Sequence, residues 1–275
     1  MQNNMSDQQQ DSELLRKRMG RIRHKILVLS GKGGVGKSTV SVNLAAALAL
    51  KGSRVGILDV DIHGPSIPKI LDLEGVRLKG SDGVITPVQV NENLSAMSIG
   101  LMLRSPDDPV IWRGPMKYNM IKQFLSDVGW SDLDYLIVDS PPGTGDEPLA
   151  VAQLIENADG AVIVTTPQQL AVTDVRKSIS FCRQLELPVL GVVENMSGFV
   201  CSGCGTAVDI FKSGGGENMA LEMNVPFLGR IPIDRDIVDS CDSGRPYIES
   251  YMNSSVSNVF MNMVLEVSSR LEKAD

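Results

Sequence analysis

The chain has 275 residues, of which 43% are hydrophobic and 21% are charged, and its formal net charge is −7. A chain of this length buries a large core and needs neither disulfides nor a structural metal to fold. The acidic balance argues against a protein that coats nucleic acid through a basic face, and four cysteines are too few for a secreted disulfide scaffold.

The amino-terminal segment is polar and contains no apolar signal core. Residues 1–13 are rich in amides, which predicts a disordered tail. Residues 16–25 contain six lysines and arginines, which we interpret as a solvated helix leading into the first strand rather than as an arm for an acidic partner or a membrane. Since the longest apolar run, 44–50, is too short to span a membrane, we expect a soluble, cytoplasmic protein.

Short, nearly continuous apolar runs predict strands that are buried on both faces. Because helical stretches separate these runs, the sequence predicts a doubly wound α/β fold, with a mostly parallel sheet and helices on both faces. Glycines and prolines do not gather in a linker, so we predict a flexible tail and basic leader over 1–24 and a single domain over 25–275. The predicted strands are 25–30, 54–59, 135–139, 161–165, 189–193, 227–231 and, more weakly, 94–99, and the predicted helices are 37–50, 145–156, 172–186, 216–224 and 253–272.

The last predicted helix, 253–272, carries one apolar stripe. Its polar face lacks the lysines and arginines of a membrane-surface anchor, so we expect it to pack on the sheet. The methionine-containing stretch 100–130, with Trp112, is interpreted as flexible core or interface rather than as a cofactor site.

The strongest functional signal follows the first predicted strand. Residues 31–39 read GKGGVGKST, which satisfies the phosphate-binding pattern GxxxxGK[ST] between a strand and a helix. The glycines turn backbone N–H groups toward phosphate oxygens, and the helix N-terminus faces the same charge. We expect ATP here, with Lys37 on the β- and γ-phosphates and Ser38 on Mg²⁺. The expected ATP-binding residues of this loop are Gly33, Gly34, Val35, Gly36, Lys37, Ser38 and Thr39.

Two strands end in carboxylates, where ligands of doubly wound sheets bind. Asp139 is predicted to hold Mg²⁺, directly or through water. Asp61, in the segment Asp59-Val60-Asp61, is the candidate for orienting the attacking water and contacting the Mg²⁺ shell. His63 is interpreted as a packing or hydrogen-bonding residue, because phosphoryl transfer needs positioning more than a base.

Two further residues have open roles. Asn195 follows another buried strand, and its carboxamide could pair with the N6/N7 edge of adenine or could simply cap a helix or turn. Lys32 would repel Lys37 unless phosphates lie between the two ammonium groups, but it could equally be a solvated loop charge.

Cys201 and Cys204 form the one CxxC turn of the chain. Two sulfurs at this spacing can approach one metal, but a tetrahedral site needs four ligands. A redox dithiol, half of a zinc knuckle, and a half-site completed by a two-fold partner remain open; the last would suit [4Fe–4S] or Zn²⁺. Cys182 is expected to be a small buried hydrophobe, and Cys241 is assigned no cluster role.

The loop GKGGVGKST resembles the deviant Walker A motif of the MinD/ParA/nitrogenase-iron-protein ATPases. Further strings make the chain similar to the Mrp/Nbp-type iron–sulfur cluster carriers within that class, over about residues 20–250. No cysteine precedes residue 182, so the amino-terminal cysteine cluster of some relatives is absent from this sequence. The strings are DVDIHGPSIP (59–68), PVIWRGPM (109–116), DYLIVDSPPGTGDEPLA (134–150), ENMSGFVCSGCG (194–205) and DIFKSGGGE (209–217).

This resemblance implies a homodimer with facing ATP sites, in which Lys32 reaches the partner's nucleotide and Asn195 reads adenine. It also implies that Cys201 and Cys204 of both protomers hold a labile [4Fe–4S] cluster, which passes to apo iron–sulfur client proteins. Cluster-assembly proteins are further expected partners, whereas nucleic acid and membrane are not. A slow ATPase activity, using Lys32, Lys37 and Asp61, would serve the carrier.

Three alternatives remain. A MinD/ParA-like positioning ATPase would explain the phosphate loop but leave the CxxC unused. A structural dimer bridged by Zn²⁺ would use the cysteines without a cluster. A reductase similar to the nitrogenase iron protein would hold its cluster on separated loops rather than in a CxxC.

Overall fold

The computed structural model describes residues 12–81, 83–102, 114–201 and 203–273. Within them, eight strands form one sheet in the order β12-β9-β8-β1-β7-β2-β6-β5, in which all neighbours are parallel except β5 and β6. Two separate two-stranded ribbons, β3–β4 and β10–β11, lie outside this sheet. The strands are β1 (Ile22–Ser30), β2 (Val55–Asp59), β3 (Lys79–Ser81), β4 (Val84–Thr86), β5 (Val88–Gln89), β6 (Leu94–Ser98), β7 (Leu133–Asp139), β8 (Gly160–Thr165), β9 (Val189–Glu194), β10 (Phe199–Val200), β11 (Ala207–Val208) and β12 (Phe227–Arg230).

Helices cover both faces of the sheet, so the predicted doubly wound α/β fold is confirmed. The helices are α1 (12–19), α2 (Lys37–Leu50), α3 (Ile67–Ile70), α4 (Gly114–Asp127), α5 (Asp146–Leu154), α6 (Gln169–Gln184), α7 (Gly215–Glu222), α8 (Arg235–Asp242), α9 (Tyr247–Ser250) and α10 (Ser255–Glu272).

The central strand explains why the predicted strands are continuously apolar. In β1, Ile26 and Val28 join the core that α2 and α10 cover, whereas Leu27 and Leu29 join the core under α4, α5 and α6. Successive side chains of a strand point to opposite faces, so a strand that is covered on both sides needs apolar residues throughout.

The seven predicted strands are all present, but the amino-terminal boundary differs. The first strand begins at Ile22, three residues before its predicted start. Residues 12–19 are helical, and Leu15 and Met19 are buried in the core. Arg16 pairs with Glu156 at the surface, so part of the basic segment is a helix held against the body of the protein.

Helix α4 is the main element that was not predicted. It lies within the stretch that we interpreted as flexible core or interface, and it buries Ile121, Phe124 and Leu125. Exposed Met116 and Tyr118 obscure its apolar stripe in the sequence. The edge strand β5 and the ribbons span only two or three residues each, which is too short for a periodic signal. Trp112 lies outside the described residues.

The strand order brings the polar strand ends together. β1 lies between β7 and β8, and Asp59 at the end of β2 is directly beside Asp139 at the end of β7. On the other side of β1, Glu194 at the end of β9 is the register partner of Thr165 in β8. The residues that follow these parallel strands therefore share one edge of the sheet.

Helix α10 packs through its apolar stripe, as predicted. Val256, Phe260, Val264 and Val267 are buried in the core that also contains residues of α2. None of the helices in the described part of the chain is both long and apolar enough to cross a bilayer.

We expect Phe260→Ala to lower the free energy of unfolding by about 3–5 kcal/mol, because it leaves a cavity in the core between α10 and the sheet. Leu265→Ala on the same helix removes a half-exposed side chain and should cost less than about 1 kcal/mol. Urea unfolding curves compare the two variants. Equal losses would contradict the packing described for α10.

Candidate nucleotide and cysteine sites

The phosphate loop connects β1 to α2, and its backbone requires glycine at two positions. Gly34 and Gly36 have φ angles of 79° and 80°, in the left-handed region that other residues rarely adopt. A Cβ at Gly36 would lie 2.2 Å from Nδ2 of Asn195. At Gly33 and Gly34, a Cβ would meet no atom of the described chain within 4 Å, so these glycines leave an open cradle.

A cavity of about 430 Å³ opens in front of this loop. It brings the predicted phosphate-loop residues together with the loop that follows β2. Lys32 lines the cavity, and in the described part of the chain no carboxylate pairs with its ammonium group. The lining includes Lys32, Gly33, Gly34, Gly36, Lys37, Ser38, Thr39, Asp61 and His63.

The floor of the site is a buried cluster around Asp139. Nζ of Lys37 lies 2.8 Å from Oδ2 of Asp139 and 3.7 Å from Oδ2 of Asp61. The Oγ atoms of Ser38 and Ser41 donate to the two oxygens of Asp139, each at 2.6 Å. A carboxylate with no exposed surface needs such partners, and here they come from the first turns of α2. The structure thus brings together Lys37, Ser38, Asp61 and Asp139.

Asp59, which was not among the predicted site residues, positions the loop that carries Asp61. Its carboxylate accepts hydrogen bonds from the N–H of Asp61 (3.0 Å), the N–H of Ile67 (3.3 Å) and Oγ of Ser98 (2.9 Å). Burial, reinforced by Asp139, raises the pKa of Asp59, although Lys37 opposes this effect. Its position directly beside Asp139 follows from the strand register, which the sequence pattern does not reveal.

Asp61 is held in one orientation at the cavity wall. Its Oδ1 accepts hydrogen bonds from the N–H groups of His63 and Gly64, each at 3.3 Å. Burial raises the pKa of Asp61, and the ammonium of Lys37 works against that rise. The carboxylate is therefore oriented by backbone donors while it faces the phosphate loop.

His63 belongs to a polar cluster that joins this loop to α4 and α5. Its Nε2 lies 2.9 Å from Oε1 of Glu147 and 3.0 Å from Nζ of Lys117, and Lys117 also pairs with Glu147. Burial alone would raise the pKa of Glu147, but hydrogen bonds from Lys117 and His63 hold it below its ordinary value. The hydrogen-bonding role predicted for His63 is confirmed, whereas Lys117 and Glu147 were not predicted.

Asn195 lies against the phosphate loop. Its Nδ2 donates to the carbonyl of Val35 at 2.9 Å, and its backbone N–H donates to the carbonyl of Thr165 at 2.8 Å. The side chain of Val35 is buried, and Val35 is the one predicted residue of this loop that does not line the cavity in the described part of the chain. The end of β9 is thereby in direct contact with the loop that follows β1.

The CxxC turn connects β10 to β11. The N–H of Cys201 donates to the carbonyl of Thr206 at 3.0 Å, and the N–H of Gly205 donates to the carbonyl of Cys201 at 2.8 Å. Sγ of Cys204 is exposed and lies 3.2 Å from Oγ1 of Thr206. Hydrogen bonding with Thr206, and secondarily with Cys201, lowers the pKa of Cys204. Thiolates are the form of cysteine that binds metals.

The surroundings of this turn are apolar and exposed. In the described residues, no group of three or more His, Cys, Asp or Glu side chains could hold a metal ion, so this turn offers two thiols. The exposed apolar side chains on and after the ribbon are Val200, Val208, Ile210 and Phe211.

The other two cysteines have different surroundings. Cys182 is fully buried in α6, as predicted, and burial raises its pKa to about 12. Cys241, on α8, is half-buried, and its Sγ lies 3.8 Å from Oγ1 of Thr39. Burial also raises the pKa of Cys241, so Cys204 differs from both.

Comparisons with known proteins agree with this geometry. The family model described as "ParA: NUBPL iron-transfer P-loop NTPase" matches residues 21–268. An iron-sulfur cluster carrier protein from Methanocaldococcus jannaschii is 50% identical over 264 residues, covering 96% of this chain and 90% of the relative.

Solved structures show the same fold. A nucleotide-binding protein from Archaeoglobus fulgidus, in complex with ADP, is 41% identical with a TM-score of 0.75, covering 86% of this chain and 92% of its own. The septum site-determining protein MinD from Pyrococcus horikoshii, complexed with Mg-ADP, is 21% identical with a TM-score of 0.65, covering 92% and 98% of the two chains.

One conclusion follows from the phosphate loop on a mostly parallel sheet, the family match over residues 21–268 and the identity to the archaeal carrier. The chain belongs to the NUBPL-type family of iron-transfer P-loop NTPases.

Proposed function

We propose that this chain is an ATP-dependent iron–sulfur cluster carrier that works as a homodimer. Two protomers would hold one [4Fe–4S] cluster between their Cys201 and Cys204 thiolates and pass it to apo iron–sulfur client proteins, with cluster-assembly proteins as further partners. The observation that carries the proposal is a phosphate loop that lines a cavity, on the same chain as two neighbouring thiols: a partly exposed Cys201 and an exposed Cys204 whose pKa is lowered.

The nucleotide site fits Mg²⁺ and ATP chemically. The open cradle at Gly33 and Gly34 leaves room for phosphate oxygens, and Gly36 allows the helix to start beside them. Ser38 and Asp139 would hold Mg²⁺, directly or through water, which would supply positive charge at the phosphates. Lys37 would then exchange part of its contact with Asp139 for the β- and γ-phosphates.

Hydrolysis would depend on positioning rather than on a strong base. Asp61 would orient the attacking water, because backbone N–H groups fix its carboxylate at the cavity wall. Lys32, which lines the cavity, would reach the nucleotide of the partner protomer in the dimer. Asn195 would bind adenine after leaving the carbonyl of Val35. A slow ATPase would suit this role, because hydrolysis would change the geometry of the dimer and would not have to drive a chemical reaction.

The cysteine turn argues for two protomers at one cluster. A [4Fe–4S] cluster is held by four thiolates, and this turn supplies two. The exposed apolar side chains of Val200, Val208 and Phe211 would be covered by a partner in that arrangement. The cytoplasm keeps such thiols reduced and is the compartment that we expect. Zn²⁺ also accepts four thiolates and is the alternative occupant that metal analysis distinguishes.

The MinD-like positioning switch is less well supported as a function. The similarity to MinD structures is about 21% in sequence and concerns the fold. A switch of that kind would not account for the presence of Cys201 and Cys204, since it gives the two thiols no function.

Anaerobic reconstitution with iron and sulfide tests the cysteine half of the proposal. Wild type should bind about four iron and four sulfide per dimer, and Cys201→Ala/Cys204→Ala should bind neither. Cys241→Ala is the matched control, because Cys241 lies beside Thr39 rather than in the turn. Equal iron and sulfide in wild type and the double variant, or zinc in place of iron in anaerobically purified protein, would contradict the carrier function.

Lysine variants test the ATP binding and hydrolysis that the proposed function requires. Lys37→Ala should weaken ATP binding roughly 10- to 100-fold, because it removes a charge-assisted contact to phosphate. Lys32→Ala should keep binding within about threefold and lose hydrolysis, because its contact forms only across the dimer. A fluorescent-nucleotide titration and a phosphate-release assay separate the two effects. An unchanged ATPase rate for Lys32→Ala would rule out the role across the dimer.

The pH dependence of thiol alkylation tests the environment of the CxxC turn. Cys204 should become reactive at lower pH than Cys241, because contacts with Thr206 lower the pKa of the first and burial raises that of the second. Thr206→Val should move the reactivity midpoint of Cys204 to higher pH, since the variant cannot donate to the thiolate. Peptide mass spectrometry after timed labelling with iodoacetamide gives both midpoints. Identical midpoints in wild type and the variant would refute this account.

A further inference from the structure

Glu194 is a buried carboxylate that neither half of the proposed function uses. It is the last residue of β9, it has no exposed surface, and it directly precedes Asn195. Burial of a carboxylate is costly unless hydrogen-bond donors surround it, so its partners indicate what it does.

Glu194 has partners at both ends of the segment that carries the cysteines, and its Oε1 also lies 3.6 Å from Nε of Arg230 at the end of β12. Its Oε1 accepts hydrogen bonds from Oγ of Ser197 and, at 2.8 Å, from the N–H of Gly214, and its Oε2 accepts one from the N–H of Gly216. Ser197 precedes the ribbon β10–β11, whereas the glycines follow it. Oγ of Ser213 lies 3.2 Å from Oγ of Ser197 and closes the same junction. One carboxylate therefore ties together the two bases of the cysteine ribbon.

Backbone conformation and close contacts with Pro167, Thr165 and Glu194 explain the run of three glycines after the ribbon. Gly214 has a φ of 82°, in the left-handed region. A Cβ at Gly215 would lie 2.3 Å from the carbonyl oxygen of Pro167, and one at Gly216 would lie 3.0 Å from Oε2 of Glu194. Side chains at these positions would push the loop off the carboxylate, so glycine is required for the junction to close.

The residue next to Glu194 is tied to the phosphate loop. Nδ2 of Asn195 donates to the carbonyl of Val35 at 2.9 Å, and the adjoining Gly36 has no room for a Cβ because Asn195 lies so close. Two consecutive residues thus face two different sites: Asn195 contacts the nucleotide loop, and Glu194 holds the cysteine ribbon.

The segment that runs from Asn195 through Ser197 to the cysteine ribbon is held rigidly. Ile231 donates its N–H to the carbonyl of Glu194 at 2.9 Å, Ser197 donates its N–H to the carbonyl of Ile231 at 2.9 Å, and Ile233 donates its N–H to the carbonyl of Gly198 at 2.8 Å. Met196 has a φ of 55° within this segment, a conformation that a non-glycine residue keeps only when its surroundings fix it. A shift of Asn195 would therefore pass to Ser197 rather than be absorbed between them.

We propose that Glu194 is the positioning residue that transmits nucleotide occupancy of the phosphate loop to the geometry of the cysteine ribbon. This inference rests on the proposed function, since it assumes that the loop binds nucleotide and that the two cysteines act as ligands. Movement of Asn195 away from Val35 would shift the segment 194–198, and the bonds of Glu194 would carry that shift to both bases of the ribbon.

The test measures how nucleotide changes the reactivity of Cys201 and Cys204 in the metal-free full-length chain. N-ethylmaleimide labelling, read by peptide mass spectrometry, should change in rate by about fivefold or more on addition of Mg²⁺ and ATP. Glu194→Gln places an amide group against backbone N–H donors, so its labelling rates should no longer depend on nucleotide. Its ATP affinity, titrated separately, should stay within about threefold of wild type.

Two further variants make the result interpretable. Glu222→Gln, which alters an exposed carboxylate at the end of α7 that pairs with Arg176, should keep the full nucleotide response. Ser197→Ala removes one donor to Glu194 and leaves both glycine contacts, so it should fold even where Glu194→Gln does not, and its response should be reduced.

A wild-type response in both Glu194→Gln and Ser197→Ala would overturn the inference. Wild-type labelling rates that do not change on addition of Mg²⁺ and ATP would overturn the inference as well. Either result leaves the carrier function standing if wild type still binds iron and sulfide through its cysteines, whereas loss of that binding is a failure of the proposed function itself.

Discussion

The buried ion pair between Lys37 and Asp139 is the interaction on which the nucleotide site depends. Asp139 has no exposed surface, and its two oxygens are satisfied by the ammonium of Lys37 and the hydroxyls of Ser38 and Ser41. Removing one partner from such a cluster leaves a charge in the interior, which typically costs about 3–5 kcal/mol. The pair therefore fixes the start of α2 against the end of β7 and gives the phosphate loop its shape.

The sheet explains why this cluster can exist. Parallel strands covered on both faces leave polar groups only at their ends, and the order of the strands decides which ends meet. β1, β2, β7 and β9 bring the phosphate loop, Asp59, Asp139 and Glu194 to one edge. The nucleotide chemistry lies on one side of β1, and on its other side β9 leads into the cysteine ribbon. A single architectural constraint thus places both sites within reach of the same short segment.

Much of this arrangement could be predicted from the sequence, because local signals encode it. The apolar runs mark strands buried on both faces, and the phosphate loop carries its own pattern of glycines, lysine and serine. Helix α4 could not be predicted, because exposed Met116 and Tyr118 dilute an apolar stripe that only its packing partners define.

The site residues that could not be predicted share one property: their roles arise from contacts between distant segments. Asp59 acquires its role from strand register, and Glu147 acquires its role from Lys117 and His63 on separate elements. Glu194 looks like an ordinary strand end until the fold brings Gly214 and Gly216 to its carboxylate. Residue types and spacing predict which groups could act, but only tertiary contacts show which groups they act with.

In the proposed function, one cluster needs the cysteines of two protomers. The most direct measurement is native mass spectrometry of anaerobically reconstituted mixed dimers, in which a tagged wild-type protomer is paired with a Cys201→Ala/Cys204→Ala protomer. We expect wild-type dimers to carry the mass of one [4Fe–4S] cluster and mixed dimers to carry none. A full cluster on mixed dimers, or on wild-type monomers, would contradict this expectation.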